Sequence, residues 1–275
     1  MRSIMPVDVM ALADVLRRAA KAEILPRFRR LNAGDIRAKS EATDLVTEAD
    51  EQAERFIRAE VQKFAPNALF IGEESVAADP DLLGKLKDAE LAVIVDPVDG
   101  TFNFASGMPA FGVMASVVYK GETVAGLIYD PMGDDWVMAE KGGGAFLRRP
   151  DGDAVRLAVA PQKPLEAMIG MASAAYFFGE QRLQVLTNLA KVRFFASYRC
   201  SAQEYRVFAG GHVDFVIYNK LMPWDHLAGT LIAREAGAHV AKFDGSPYQP
   251  TDFEGGLLVA TSRESWEILR REIIG

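Results

Sequence analysis

The sequence predicts a mixed fold, an α+β half followed by an alternating α/β half. Between Phe111 and Leu157 nearly every segment reads as strand, broken by short turns; beyond a seam near 150–165, helical and strand patterns alternate. The chain has 275 residues, 49% hydrophobic and 25% charged, which describes a packed globular protein and excludes disorder and collagen-like structure. No repeat, low-complexity run or linker separates the halves. They are expected to form one unit over 1–275, with subdomains of about 1–158 and 159–275.

The first ~30 residues form an amphipathic helix, because Val9, Leu12, Leu16, Ala19, Ala20, Ile24 and Phe28 recur near a 3.6-residue period. A second helix starts at Thr47, where Thr47 and Asp50 have capping-box spacing and Ala53, Phe56, Ile57, Val61 and Phe64 make the buried stripe. Leu69–Ile71 is a short strand ended by Gly72. Leu91–Val95 is a continuous apolar run, expected where a strand is covered on both faces. Strands follow at Phe111–Tyr119, Thr123–Tyr129, Trp136–Ala139, Ala145–Leu147 and Val155–Leu157, with Gly, Pro and Asp turns between them. In the second half, helices near Gln181–Ala190, Ala202–Ala209, His226–Ala236 and Ser262–Ile274 alternate with strands at Arg193–Phe195, Val213–Ile217, His239–Ala241 and Leu257–Ala260.

Lys and Arg number 31 against 38 Asp and Glu, a formal net charge of −7, so a broad basic surface for nucleic acid is not expected. The single cysteine, Cys200, cannot form an internal disulfide, and with three scattered His no zinc spacing exists. Asp8, Asp14 and Arg17 interrupt the N-terminal apolar pattern, which is not that of a signal peptide, and no uncharged stretch of ~18 apolar residues occurs. A cytoplasmic, membrane-free protein is expected.

Three acidic elements stand where the chain leaves a strand or enters a helix. They are Gly72-Glu73-Glu74, Asp96-Pro97-Val98-Asp99-Gly100-Thr101, and Trp224-Asp225 at the start of an apolar helix. Taken singly, each has a plainer reading as a solvated pair, a turn, or a helix N-cap. Together they can converge on one edge. Pro97 keeps Asp96 extended at its strand end, Gly100 permits a tight turn, and Thr101 opens the next segment with free N–H groups suited to phosphate. Asp96 and Asp99 lie three apart around the turn with the Val98 carbonyl between them, and Glu73 and Asp225 would complete two neighbouring sites for hard cations such as Mg²⁺. A calcium-hand loop starting at Asp96 is excluded, since its twelfth position is Gly107; P-loop, zincin and nucleophile-elbow motifs are absent.

These stretches, with the upstream Lys39–Asp50 segment matching K-x-x-x-x-D-L-V-T-x-x-D, resemble the inositol monophosphatase family over about residues 36–260. The resemblance implies a layered α-β-α-β-α sandwich of the fructose-bisphosphatase-like kind, usually homodimeric, and a Mg²⁺-dependent, often lithium-sensitive phosphatase acting on a small phosphorylated metabolite with two or three cations. It implies one metal on Glu73, Asp96 and the Val98 carbonyl, and a second on Asp96, Asp99 and Asp225. Glu73 and Thr101 would orient the attacking water, supported by Thr47 and Asp50, and the N–H groups of Gly100 and Thr101 would grip the phosphate.

The chain departs from the family pattern on the alcohol side. Inositol-using members have Gly-[ST]-Ala-Ala where this chain has Arg199-Cys200-Ser201-Ala202, and a Glu seven residues before the Trp-Asp aspartate where it has Tyr218. Arg199, Tyr218, Asp99 and Asp225 are expected at the substrate, and Arg199 with Lys220 would suit a second phosphate or a carboxylate. Alternatives to inositol phosphate are histidinol phosphate, fructose bisphosphate and phosphoadenylate. A further alternative is an RNA- or transcription-complex role through the cations Arg17, Arg18, Lys21, Arg27, Arg29 and Arg30 of the first helix, whose plainer reading is a solvated face.

Overall fold

The computed structural model describes residues 5–39 and 45–275, so the Ser40–Asp44 part of the upstream motif lies outside the described residues. Helix α1 (Val9–Ala19) is capped by Asp8, whose carboxylate accepts the Met10 and Ala11 N–H groups. It loosens into a wider π turn over Ala20–Ile24 and ends in a 3₁₀ turn at Leu25–Arg27, as Pro26 cannot continue the α pattern. β1 (Ile36–Ala38) and β2 (Leu45–Thr47) form a small antiparallel pair leading into α2 (Glu48–Phe64). Thr47 and Asp50 make the expected capping box.

β3 (Leu69–Gly72), the short helix α3 (Glu73–Ala78) and a 3₁₀ stretch, Pro80–Asp88, precede β4 (Leu91–Asp99) and α4 (Thr101–Ala105). β5 (Gly112–Tyr119), β6 (Glu122–Asp130), β7 (Asp135–Glu140), β8 (Gly144–Arg148) and β9 (Ala154–Arg156) follow. They complete a seven-stranded sheet in order β3 to β9, antiparallel except for the parallel pair β3–β4. The second half contains β10 (Ile169–Ala172), α5 (Gly179–Leu189), β11 (Phe194–Ala196), α6 (Ser201–Ala209), β12 (Phe215–Tyr218), α7 (Pro223–Glu235), β13 (His239–Lys242), β14 (Leu257–Ala260) and α8 (Arg263–Leu269). Its five-stranded sheet runs β11-β10-β12-β14-β13, with β11, β10 and β12 mutually parallel.

The layers are α-β-α-β-α, and alternation along the strands shows why. Ala92 and Ile94 of β4 face the core shared with α6 and α7, whereas Val93 and Val95 face α1 and α2. In β12, Val216 and Tyr218 face the same middle layer, while Phe215 and Ile217 face the outer core built with α5 and α8. α6 and α7 are thus sandwiched between the sheets. Close approach is required there: a Cβ at Gly229 would lie 2.0 Å from the Tyr205 ring. The apolar run in β4 does mark a strand covered on both faces, although most of its sheet is antiparallel.

Periodicity does not reveal β1, α3, α4 or β10, all too short to display a period. β10 carries Gly170 because the Phe215 ring of β12 occupies the space of a side chain, 2.2 Å from where a Cβ would stand. That packing suppresses the usual strand composition.

Candidate active site

Two parallel strands bring the first carboxylates together. Gly72 of β3 stands opposite Val95 of β4, so Glu73 and Asp96 emerge side by side. The pairing of β4 with β5 slips between Asp96 and Asp99, the stretch that contains Pro97. Within this bulge the Val98 N–H donates to Asp96 Oδ1 (3.0 Å), and the Val98 carbonyl lies 2.9 Å from the Thr101 hydroxyl. Gly100 turns the chain at φ +87° into α4, and a Cβ there would meet the Ala110 carbonyl at 2.9 Å.

Asp225 reaches the same place from the middle layer. It is the third residue of α7, whose N-cap is Met222, so its carboxylate is not used as a cap. Asp96, Asp99 and Asp225 each present an oxygen within 4.8 Å of the others. Asp99 is pinned from α6 by the Ala202 N–H at 2.5 Å and the Cys200 thiol, whose Sγ is 3.1 Å from Oδ2. Burial, and then the Asp99 charge, push the thiol pKa well up, so Cys200 acts as an S–H donor and not as a nucleophile.

Behind the cluster, Asp50 is fully buried. It accepts the Thr47 N–H (2.9 Å) and hydroxyl (2.5 Å) on one oxygen, and its other oxygen is 3.0 Å from Thr101 Oγ1. Burial pushes the Asp50 carboxyl up to about 6 against the Thr47 hydrogen bond. Burial, then repulsion from Glu73 and the other aspartates, raises Asp96 well above the carboxylate range. Asp225 is raised likewise by burial and Asp99, and Asp99 by burial. Lys39 bridges Glu73 (2.8 Å) and Glu74 (2.6 Å); burial opposes its charge, but the two carboxylates more than compensate and hold its pKa above the usual value. Buried anions this crowded call for cations.

The expected alcohol-side residues line the same cavity, about 620 Å³, together with Glu73, Asp96, Asp99 and Asp225. Tyr218 is buried beside His226, their rings 4.5 Å apart. Arg199, at φ +52°, lays its guanidinium 3.8 Å over the Phe102 ring. His226, which invites a catalytic reading, is buried. One ring nitrogen lies 2.8 Å from the Lys220 carbonyl and the other 3.3 Å from the Tyr205 hydroxyl, and burial lowers its pKa to about 4. The neutral ring therefore braces the 218–220 segment.

Two carboxylates escape sequence reasoning. Glu54 of α2, 5% exposed, accepts the Glu74 N–H (2.7 Å), the Ser75 N–H (2.9 Å) and the Ser75 hydroxyl, and so holds the start of α3, where Glu73 is the first residue. Glu204 of α6 lies in the cavity wall, takes the Tyr198 N–H at 2.8 Å, and is pushed up to about 7 by burial. On a helix both read as solvated charges. One faint signal existed for Glu54: Gly72, where a Cβ would lie 2.2 Å from the Glu54 carboxyl group.

Residues 7–273 match the sequence model of the inositol monophosphatase family. The chain belongs to that family. As a member of the inositol monophosphatase family it is a phosphoric monoester hydrolase. It is 35% identical over 239 residues to an inositol-1-monophosphatase of Mesorhizobium japonicum, covering 84% of this chain and 82% of that protein. It is 34% identical over 227 residues to the Nus factor SuhB of Vibrio cholerae, covering 80% and 79%. A solved structure, the extragenic suppressor protein suhB of Bartonella henselae, superposes with a TM-score of 0.80 at 28% identity over 96% of this chain and 97% of that one. Among the described residues no helix is long and apolar enough to cross a membrane.

Proposed function

We propose that the protein is a Mg²⁺-dependent phosphatase that hydrolyses a small phosphate monoester with water activated at a two-metal site. The observation that carries this reading is the convergence of Asp96, Asp99 and Asp225 within 4.8 Å in a cavity also lined by Glu73. An all-oxygen set of crowded, buried carboxylates fits hard divalent cations, and the charge they bring relieves the mutual repulsion that raises Asp96 and Asp225. Glu73, Asp96 and the Val98 carbonyl would hold one cation, and Asp96, Asp99 and Asp225 another. Bound there, such cations lower the pKa of water and neutralise charge on the transferring phosphoryl group.

The protein's own groups supply position. Thr47 fixes Asp50, which accepts the Thr101 hydroxyl proton and leaves the Thr101 oxygen lone pairs to receive a water proton. Glu73, held by α3, accepts the second. The water lone pair then faces phosphorus: as the new P–O bond forms and the ester P–O bond breaks, the water's proton passes to Glu73 and the departing alkoxide takes a proton from solvent to leave as the alcohol, with no phosphoenzyme. The N–H groups of Gly100 and Thr101 start α4 without intrahelical partners and suit the phosphate oxygens. Arg199, Tyr218 and Asp225 border the alcohol. Homodimerisation, lithium sensitivity, a cytoplasmic location and action of 1–275 as one unit belong to the same proposal.

Similarity to a Nus factor favours a second reading, a role in a transcription complex. The first-helix cations give it little support. Arg17 and Lys21 pair with Asp134, Arg18 with Asp14 and Glu60, and Arg27 with Glu23. Phosphate release from inositol 1-phosphate, histidinol phosphate, fructose 1,6-bisphosphate and 3′-phosphoadenosine 5′-phosphate, with and without Mg²⁺, tests the enzyme reading. Mg²⁺-dependent turnover that vanishes in Asp96→Asn supports it. Failure to bind Mg²⁺ refutes it. Binding of an RNA complex that survives Asp96→Asn but not charge reversal at Arg29 and Arg30 would establish the other role.

A further inference from the structure

The alcohol side of the cavity holds a buried hydroxyl with no bonding partner. Tyr218 closes β12 with 4% of its surface exposed, and its phenol oxygen has no hydrogen-bond partner among the described residues. An unpaired buried donor is costly, and native proteins seldom leave one idle. The ring is not at liberty to swing toward a partner, because it packs against Tyr205 (5.5 Å between ring centres) and His226 (4.5 Å). Burial, and next the Glu204 charge, raise the phenol well above its ordinary pKa, so the hydroxyl stays a donor.

Glu204 of α6 reaches the same wall from the middle layer and is 1% exposed. Its Oε1 accepts the Tyr198 N–H (2.8 Å) and the Ser197 hydroxyl (3.1 Å), while Oε2 accepts neither. Those two bonds fix the carboxylate and leave the lone pairs of its second oxygen to another donor. A held donor and a held acceptor thus line one cavity with Asp99 and Asp225.

We propose that Glu204 and Tyr218 are the specificity-determining pair on the alcohol side: one hydroxyl of the substrate's alcohol donates to the Glu204 carboxylate and accepts from the Tyr218 phenol. The proposal rests on the phosphatase reading above and adds Glu204 to it. A hydroxyl suits both groups, since it gives one hydrogen bond and receives another at a single atom. An ammonium offers the phenol no lone pair, a carboxylate is repelled by Glu204, and a hydrocarbon leaves both groups unpaired.

The test compares kcat/KM with Mg²⁺ inside two matched pairs of esters, glycerol 2-phosphate with isopropyl phosphate and inositol 1-phosphate with cyclohexyl phosphate. The second member of each pair has the same carbon skeleton and no free hydroxyl. The full-length protein is expected to favour the hydroxylated member by about ten- to a hundredfold. In Tyr218→Phe, and in Glu204→Gln, which offers an N–H where an acceptor is needed, that ratio should fall at least about fivefold. A residue that only supports the fold slows both members alike and leaves the ratio where it was. Thermal unfolding without substrate accompanies each variant, and Tyr218→Phe should melt no lower than wild type, because the hydroxyl it loses has no partner. If Glu204→Gln does not fold, Tyr218→Phe alone decides. A wild-type ratio near one, or a ratio unmoved in either folded variant, overturns the proposal and leaves the phosphatase reading intact, the phenol then serving a bound water only. A clear drop in the melting temperature of Tyr218→Phe overturns it too. Mg²⁺-dependent hydrolysis of none of the four esters refutes the phosphatase reading itself.

Discussion

Replacing Glu54 by Ala should weaken both the fold and its hold on cations, although Glu54 belongs to no predicted ligand set. Its carboxylate receives two backbone N–H groups and a hydroxyl at the start of a helix only six residues long. In the variant the Ser75 hydroxyl can rotate elsewhere, but the Glu74 and Ser75 N–H groups cannot. Each unsatisfied buried donor costs about 1–3 kcal/mol, and water entering the vacated space offsets part of that, leaving about 2–4 kcal/mol. For a chain of this size the melting temperature should drop by roughly 3–8 °C. Glu73 leads α3, so its carboxylate moves with the helix, and outer supports of metal ligands typically contribute about 10–100-fold in affinity. The Mg²⁺ concentration for half-maximal phosphate release should therefore rise at least about tenfold. Glu54→Gln keeps the volume but offers a single acceptor oxygen, and should fall between the two. Thermal unfolding without Mg²⁺ and a Mg²⁺ titration of turnover read both effects. A melting temperature within about 1 °C of wild type, with an unchanged Mg²⁺ midpoint, would show that Glu73 is held by Lys39 alone.

In Asp96→Asn one member of a repelling buried cluster becomes neutral, so the metal-free protein should melt higher than wild type at neutral pH. Wild type in Mg²⁺ at about 100 times its Kd should gain about 2.7 kcal/mol, and the variant less than half of that, as read by calorimetry. Gly100→Ala places a Cβ 2.9 Å from the Ala110 carbonyl at φ +87°, and should cost about 2–3 kcal/mol in denaturant unfolding, with reduced turnover. His226 has its pKa lowered from 6.5 to about 4, so the unfolded state binds the extra proton. Its contribution is whole above about pH 6.5 and is lost as pH falls toward 4, by about 3 kcal/mol. His226→Gln should flatten that limb of the stability–pH curve; an unchanged slope would assign the acid sensitivity to other groups.

Much of this architecture is legible in the chain because the features concerned are local. The β4 run, the Thr47–Asp50 capping box and the turn at Gly100 announce themselves through neighbours in sequence. The carboxylates of the cluster are legible for a different reason: each breaks an apolar element at its end, where a plain turn would have sufficed. Glu54 and Glu204 were opaque since a Glu on a helix looks the same whether it meets water or a buried N–H. β10 was opaque because its glycine answers to the Phe215 ring 45 residues away. Asp225, plausible as an N-cap by sequence, is released from that duty because Pro223 begins α7 two residues earlier.

The sandwiched helical layer divides labour in the cavity. Glu73, Asp96 and Thr101 stand on the seven-stranded sheet and its short helices, whereas Phe195, Tyr218 and Lys220 follow strands of the five-stranded sheet; Asp99 and Asp225 meet where α6 and α7 join them. Substitutions on the second sheet can therefore remodel the acceptor of the alcohol without shifting β4. Such a molecule can change its diet while keeping its teeth, and the same hydrolytic centre can serve chemically unrelated alcohols in different descendants.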